Sequence, residues 1–309
     1  MTPPATAAAP PSGAGRFTDL ALLLVLATLW GGSYSFIRVG VETIPPVTLI
    51  AARTLLAGAI LLAVIRWRGL RLPRDLGTWR LFLVQAGLNS VLPFTLIAWA
   101  ERSIEAGLAT ILSSTSPIFV VVLGLLAGTG ERLSPIRLAG IAAGLAGTLL
   151  IVGAEAIAGW GTDLAAQLAL VAASLCYGGA ALFGRHFKGQ DPIMPAAGSL
   201  ICGAALLIPL SLVVDRPWTL APSAASIQAL LALSVFSTAL AFVIYFRLIA
   251  RLGSVATTSV AYLRVPIGVL IGMVFLGESL APTAWLGLVL IVFGVLAMTL
   301  PARKRVEGR

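Results

Sequence analysis

The sequence predicts an all-α integral membrane protein: ten transmembrane helices built as two inverted five-helix repeats. Three observations carry that prediction. First, 59% of the 309 residues are hydrophobic and only 11% are charged, with a mean hydropathy of +1.01; soluble domains carry about 25% charged residues. Second, apolar runs of the roughly 20 residues needed to cross a bilayer recur along the whole chain. Third, the sequence matches itself when shifted by 147 residues.

The elements follow in order. The opening stretch MTPPATAAAPPSGAG lacks a basic start followed by an apolar core, so 1–17 reads as a disordered tail and not as a cleaved signal peptide. The first span, 18–38, then serves as an uncleaved anchor. Further spans are expected at 46–66, 78–99, 105–127 and 135–153, closing a first unit at 18–153. A second unit, 164–300, holds spans at 164–184, 193–213, 226–248, 254–276 and 281–300, and a basic tail occupies 301–309. Connections are short and several are marked by proline, as in TIPP (43–46), RLSP (132–135), DRP (215–217) and SLAP (279–282). No soluble catalytic domain fits between them. Cys176 and Cys202 both lie inside apolar stretches and read as small packing residues.

A net charge of +9 raises the question of nucleic acid. The basic residues answer it, because they sit in short clusters between apolar segments, where positive-inside bias puts them. With the N-terminus cytoplasmic, sixteen of the twenty-one Lys and Arg fall inside, Arg66, Arg68, Arg71, Arg74 and Arg80 among them. Only Arg38, Arg102 and Arg216 fall outside, and Arg53 and Arg264 lie within spans. Both termini are therefore expected in the cytoplasm, in a multi-pass protein of the inner membrane. The expected partners are lipid and a small molecule, with no nucleic acid; monomer and homodimer both stay open.

The offset of 147 superposes Gly31-Gly32 on Gly178-Gly179, Arg38 on Arg185, Pro45 on Pro192 and Ser90 on Ser237. It also superposes GE-x-L-x-P at 130–135 on the same string at 277–282. Each unit holds an odd number of spans, so two copies joined head to tail lie in opposite orientations. Inverted repeats are a common plan of secondary transporters, whose substrate site lies near the midplane between the halves.

The residues LWGGSYSFIRVG (29–40), Pro46 with Arg53, TSPIFVVVLGLL, and GERLSPIRLAGIAAGLAGTLLIV resemble the EamA-type branch of the drug/metabolite transporter superfamily. VPIGVLIGMVFLGESLAPTAWLGLVLIVFGVLAM repeats the resemblance in the second half. It covers nearly everything from 18 to 300. The resemblance implies transport of small metabolites, often export of amino acids or related compounds. Arg264, two positions before Pro266, departs from the family pattern.

Polar groups inside a span are costly and face the bundle interior or a watery cavity. Near mid-depth stand Trp30, Ser33 and Tyr34, then Asn89, then Ser113 to Ser116. The second half adds Ser174, Tyr177, Ser237, Thr238, Thr257, Tyr262 and Arg264. Trp30, Tyr34, Asn89, Ser114, Thr115, Tyr177, Thr238, Tyr262 and Arg264 are the candidate substrate contacts. Pro117 cannot donate a backbone N–H, which frees a carbonyl near Ser113. Arg53 is about 10 Å from its helix end at 1.5 Å per residue, and is expected to snorkel or to pair with Glu101 or Glu105. Arg264 is deeper and has no carboxylate at its level. Its partners are a bound anion, the carbonyls and hydroxyls of a kinked helix, or the ring of Trp30 or Tyr177. Gly140, Gly144 and Gly147, and Gly268 with Gly272, read as packing faces.

No phosphate-cradling G-x-x-x-x-G-K-[ST] loop is present, and the lone His186 lies in a loop beside Arg185. No cofactor, metal or catalytic residue is expected. Mid-span carboxylates are missing, so energy coupling falls to uniport, exchange or the rim acids Glu42, Glu101 and Glu278. Glu131 and Glu278 each lead into a proline-started helix and read as N-terminal caps. The expected activity is alternating-access transport of a small metabolite, with efflux of a carboxylated compound foremost. Uptake or exchange of another metabolite or drug, and an intramembrane enzyme or lipid-handling protein, are the alternatives.

Overall fold

The computed structural model describes residues 13–128, 135–157, 161–187, 189–245, 247–248 and 260–299. Those residues form helices and connections and contain no strand. In chain order the helices are α1 (Gly13–Gly40), α2 (Pro46–Trp67), α3 (Leu76–Ala100), α4 (Ala106–Leu126) and α5 (Pro135–Ile157). They continue with α6 (Gly161–Phe183), α7 (Ile193–Val214), α8 (Ala224–Tyr245), α9 (Val260–Leu276) and α10 (Pro282–Thr299). Seven helices among the described residues are long and apolar enough to cross a membrane, and the shorter apolar stretches are Leu138–Leu150, Leu263–Leu276 and Pro282–Gly294.

Proline sets two of these boundaries. α2 and α10 start on Pro46 and Pro282, where the missing N–H is one that the first turn leaves unpaired anyway. α1 is already helical at Gly13, the first described residue, ahead of the expected 18. Gly277 ends α9 at φ +67°, a left-handed conformation that glycine adopts without strain.

Among the described residues, two helices widen into π turns at places that overlap under the 147-residue offset. α3 widens into a π turn at Gly87–Val91 and α8 does so at Val235–Leu240. α4 breaks outright between Ser113 and Ser116. The offset seen in sequence recurs in the helix limits: α2 and α7 both start and end 147 residues apart.

α1 packs on α8 and α9, and α6 packs on α3 and α4. α2 lies against α7, and α5 against α10. The last contact is glycine on glycine. A Cβ on Gly147 would come 2.7 Å from the Gly287 carbonyl oxygen, and one on Gly294 would come 2.5 Å from that of Gly140. Close backbone approach of this kind is what small residues permit between membrane helices, and the expected packing role of Gly140, Gly144 and Gly147 holds. Cys176 and Cys202 are free thiols, half-buried and buried.

Side-chain bonds fix which connections share an end. Ser223 donates its backbone N–H to Thr43, Thr48 donates to Asp215, and the Ser226 hydroxyl donates to the Val39 carbonyl. Arg38 reaches the Glu101 carbonyl, and the Glu278 carboxylate accepts from the Ala106 and Gly107 N–H groups at 2.7 and 2.9 Å. We call this end, where α1 finishes, distal. At the proximal end Arg68 pairs with Asp191 at 3.0 Å. Glu278 is therefore a helix cap, as expected, but of α4 and not of the helix that follows it. Glu131 lies outside the described residues.

Candidate substrate-binding site

The site is built where α4 breaks. Pro117 has no N–H to offer the Ser113 carbonyl, and that oxygen is met from elsewhere. The Ser116 hydroxyl donates to it at 2.9 Å and Arg264 Nη2 donates to it at 3.4 Å. The neighbouring carbonyls are met by hydroxyls as well: Ser114 donates to Ile111 at 2.6 Å, Thr115 to Leu112 at 2.8 Å, and Ser174 of α6 to Leu112 at 3.2 Å. Broken backbone is tolerated in a bilayer only with such replacements. Ser114 and Thr115 are thus buried and spend their hydroxyl protons on the break itself.

Arg264 sits on α9 at the crossing with α1, where a Cβ on Gly31 would come 2.9 Å from the Arg264 carbonyl oxygen. Its guanidinium carbon lies 5.9 Å from the centre of the Tyr34 ring. The aromatic partner is Tyr34, not the expected Trp30 or Tyr177. Arg264 Nε is buried without a hydrogen-bond partner among the described residues, and so is Ser113 Oγ.

A second arginine joins it. Arg53 is 4% exposed, its guanidinium lies 3.7 Å over the Phe94 ring, and its Nε donates to Thr238 at 2.8 Å. It neither snorkels nor forms an ion pair with Glu101 or Glu105, because its side chain turns inward between α3 and α8. Thr238 is held for this by the π turn, where its hydroxyl donates to the Leu233 carbonyl five residues back at 2.8 Å. Tyr177 stands edge-on to Phe94 at 6.5 Å and lies within electrostatic reach of Tyr34, Arg53 and Arg264.

Of the residues expected at the site, Arg264, Tyr34, Tyr177 and Thr238 come together, with Ser114 and Thr115 shaping the break. Trp30 lies one turn away on α1 and tilts against Tyr245 at 5.2 Å, within a different apolar cluster. Asn89 is half-buried on the α3 π turn, where it is the neighbouring Ser90 that is buried. The Tyr262 side chain and Thr257 lie outside the described residues. Phe94 is an addition that no sequence signal marked.

The balance of contacts separates the two arginines. An arginine at the centre of a membrane helix costs about 2.5–3.5 kcal/mol on insertion scales. A hydrogen bond to a charged group returns about 1.5–3, and a desolvated cation–π contact about 2. Arg53 has both at short range. Arg264 has one long bond and one distant ring, so its charge is the one left under-satisfied.

The EamA-like transporter family profile matches residues 18–153 and again residues 164–300. The chain belongs to the EamA-like transporter family. It is 29% identical over 280 residues to YedA, an uncharacterised inner membrane transporter of Escherichia coli K12, covering 90% of this chain and 89% of that one. It is 28% identical over 295 residues to a probable terminal-alkyne amino-acid exporter of Streptantibioticus cattleyicolor, covering 94% of each. Its fold is shared with a solved crystal structure at a TM-score of 0.66 and 21% identity, over 94% of this chain and 99% of the other. Like other EamA-like proteins, it is a membrane transporter of small molecules and not an enzyme.

Proposed function

We propose that the protein is a secondary carrier that exports an amino acid or a related carboxylated metabolite by alternating access. Arg264 is the contact for the substrate carboxylate. One observation carries this: a guanidinium between α1, α4 and α9 whose Nε is buried and unpartnered among the described residues, with a single 3.4 Å bond, to Ser113, among them. A carboxylate in bidentate contact fills that deficit with planar, charge-assisted bonds. Tyr34 lies beside it, Tyr177 is within electrostatic reach, and Ser113 Oγ has no partner among the described residues.

The carrier comprises ten spans, as two five-helix units (18–153 and 164–300) of opposite orientation, with both termini cytoplasmic and the distal end outside. The matching limits of α2 and α7, the paired π turns, and the reciprocal contacts Gly147–Gly287 and Gly294–Gly140 support that arrangement. Export is supported by the amino-acid exporter among the relatives.

Purified protein in liposomes tests the proposal through counterflow of labelled amino acids and other carboxylates. Arg264→Ala is expected to abolish flux without loss of folded protein, and Arg264→Lys to retain a weakened affinity. Undiminished flux of a carboxylate in Arg264→Ala would sink the assignment.

A further inference from the structure

Glu101 is the acid that nothing above explains. It follows the last residue of α3, is fully buried, and neither carboxylate oxygen has a hydrogen-bond partner among the described residues. The charged groups that face it come from α1, α2 and the connection between α9 and α10. Arg38 of α1 donates to the Glu101 backbone carbonyl and not to its carboxylate. Arg53 of α2 is within electrostatic reach, but its Nε is bonded to Thr238. Glu278, between α9 and α10, carries like charge and has both oxygens engaged by the α4 N-terminus. Glu105, in the same connection as Glu101, also faces Glu278.

A carboxylate without donors is disfavoured in such a place, whereas the neutral acid is tolerated. Burial first, and the Glu278 charge second, push the Glu101 carboxyl well above the ordinary carboxylate range, with Arg38 and Arg53 pulling partly back. Two bonds draw the connections of the distal end together. Arg38 ties α1 to the Glu101 connection, and Glu278 ties the α9–α10 connection to α4.

We propose that Glu101 is a proton-binding site of the carrier, loaded while the distal end is shut and emptied when that end opens. The inference rests on the alternating-access reading but not on the identity of the substrate. On opening, the acid gives its proton to water at the distal face and becomes a carboxylate. On closing, it takes one proton back. The shut state therefore holds the extra proton, so acid favours shut and alkali favours open. Above the ordinary carboxylate range, each pH unit shifts the open-to-shut ratio by up to about tenfold, until the raised pKa is passed.

The full chain in lipid nanodiscs tests this without any substrate. With Cys176 and Cys202 replaced by alanine, a cysteine at buried Ile104 reports opening by its reaction with a maleimide. Its rate is normalised to that of a cysteine at exposed Ser103. The normalised rate is expected to climb with pH by up to tenfold per unit, to lose that slope in Glu101→Gln, and to keep it in Glu42→Gln, an exposed acid of the same end. Infrared spectra recorded just above the ordinary carboxylate range are expected to contain a protonated-carboxyl band that Glu101→Gln removes. A slope that survives in Glu101→Gln, or a flat rate with Glu101 intact, overturns the assignment. If Glu101→Gln fails to fold, titration of the infrared band in the native protein decides. Loss of the band within the ordinary carboxylate range overturns the proposal, and persistence above that range supports it.

Discussion

Among the described residues, Arg53 and Arg264 lie within spans, and they solve the same physical problem differently. Arg53 has a ring at 3.7 Å and a hydroxyl at 2.8 Å, so it is built into the fold. Thr238→Val removes its acceptor and is expected to lower stability by about 1–3 kcal/mol, the usual cost of an unsatisfied buried group. Arg53→Met removes the charge itself and is expected to cost less when made in the Thr238→Val background than alone. Thermal unfolding in detergent, run as a double-mutant cycle, measures both; strict additivity would count against the pairing. The sequence disclosed how deep Arg53 lies but not which way it turns, since depth along a helix says nothing of azimuth. Phe94 gave no signal at all, because one more aromatic ring in an apolar run looks like any other.

At the scale of elements, the broken α4 was the most legible feature. A proline has no N–H, so the carbonyl four residues back is freed wherever the chain folds as a helix, and Ser113 was identifiable on that ground alone. Pro117→Ala returns an N–H to that carbonyl and competes with Arg264 for it. It is expected to raise the melting temperature by a few degrees, for about 1 kcal/mol of stability, while slowing counterflow. Faster counterflow with unchanged stability would contradict the role given to the break. The π turns were not legible: nothing in GLNSV or VFSTAL distinguishes them from ordinary helix, although both fall at corresponding places under the repeat.

Across the whole molecule, the helical class could be read from hydropathy and proline punctuation, and the family from the resemblance of LWGGSYSFIRVG and the two GE-x-L-x-P junctions. The cross-cap could not. Glu278 serves Gly107 from 171 residues away, and no local pattern announces a cap for a helix elsewhere in the chain. Glu278→Ala leaves two N–H groups of α4 without their carboxylate acceptor. It is expected to loosen the distal end, raising the labelling rate of a cysteine at Ile104 several-fold, for about 1–2 kcal/mol of lost closure. An unchanged rate would show that closure does not depend on this bond.

The glycine contact between α5 and α10 has a consequence for how the chain is connected. Gly147 meets Gly287 just as Gly294 meets Gly140, so each half offers the other the surface that it receives. Such a seam needs no peptide link to find its register. Two separately translated fragments, 1–158 and 159–309, should recognise one another in the bilayer and co-purify. Gly294→Leu in the second fragment should abolish the capture. The seam would then act as a dimer interface that happens to lie within one polypeptide.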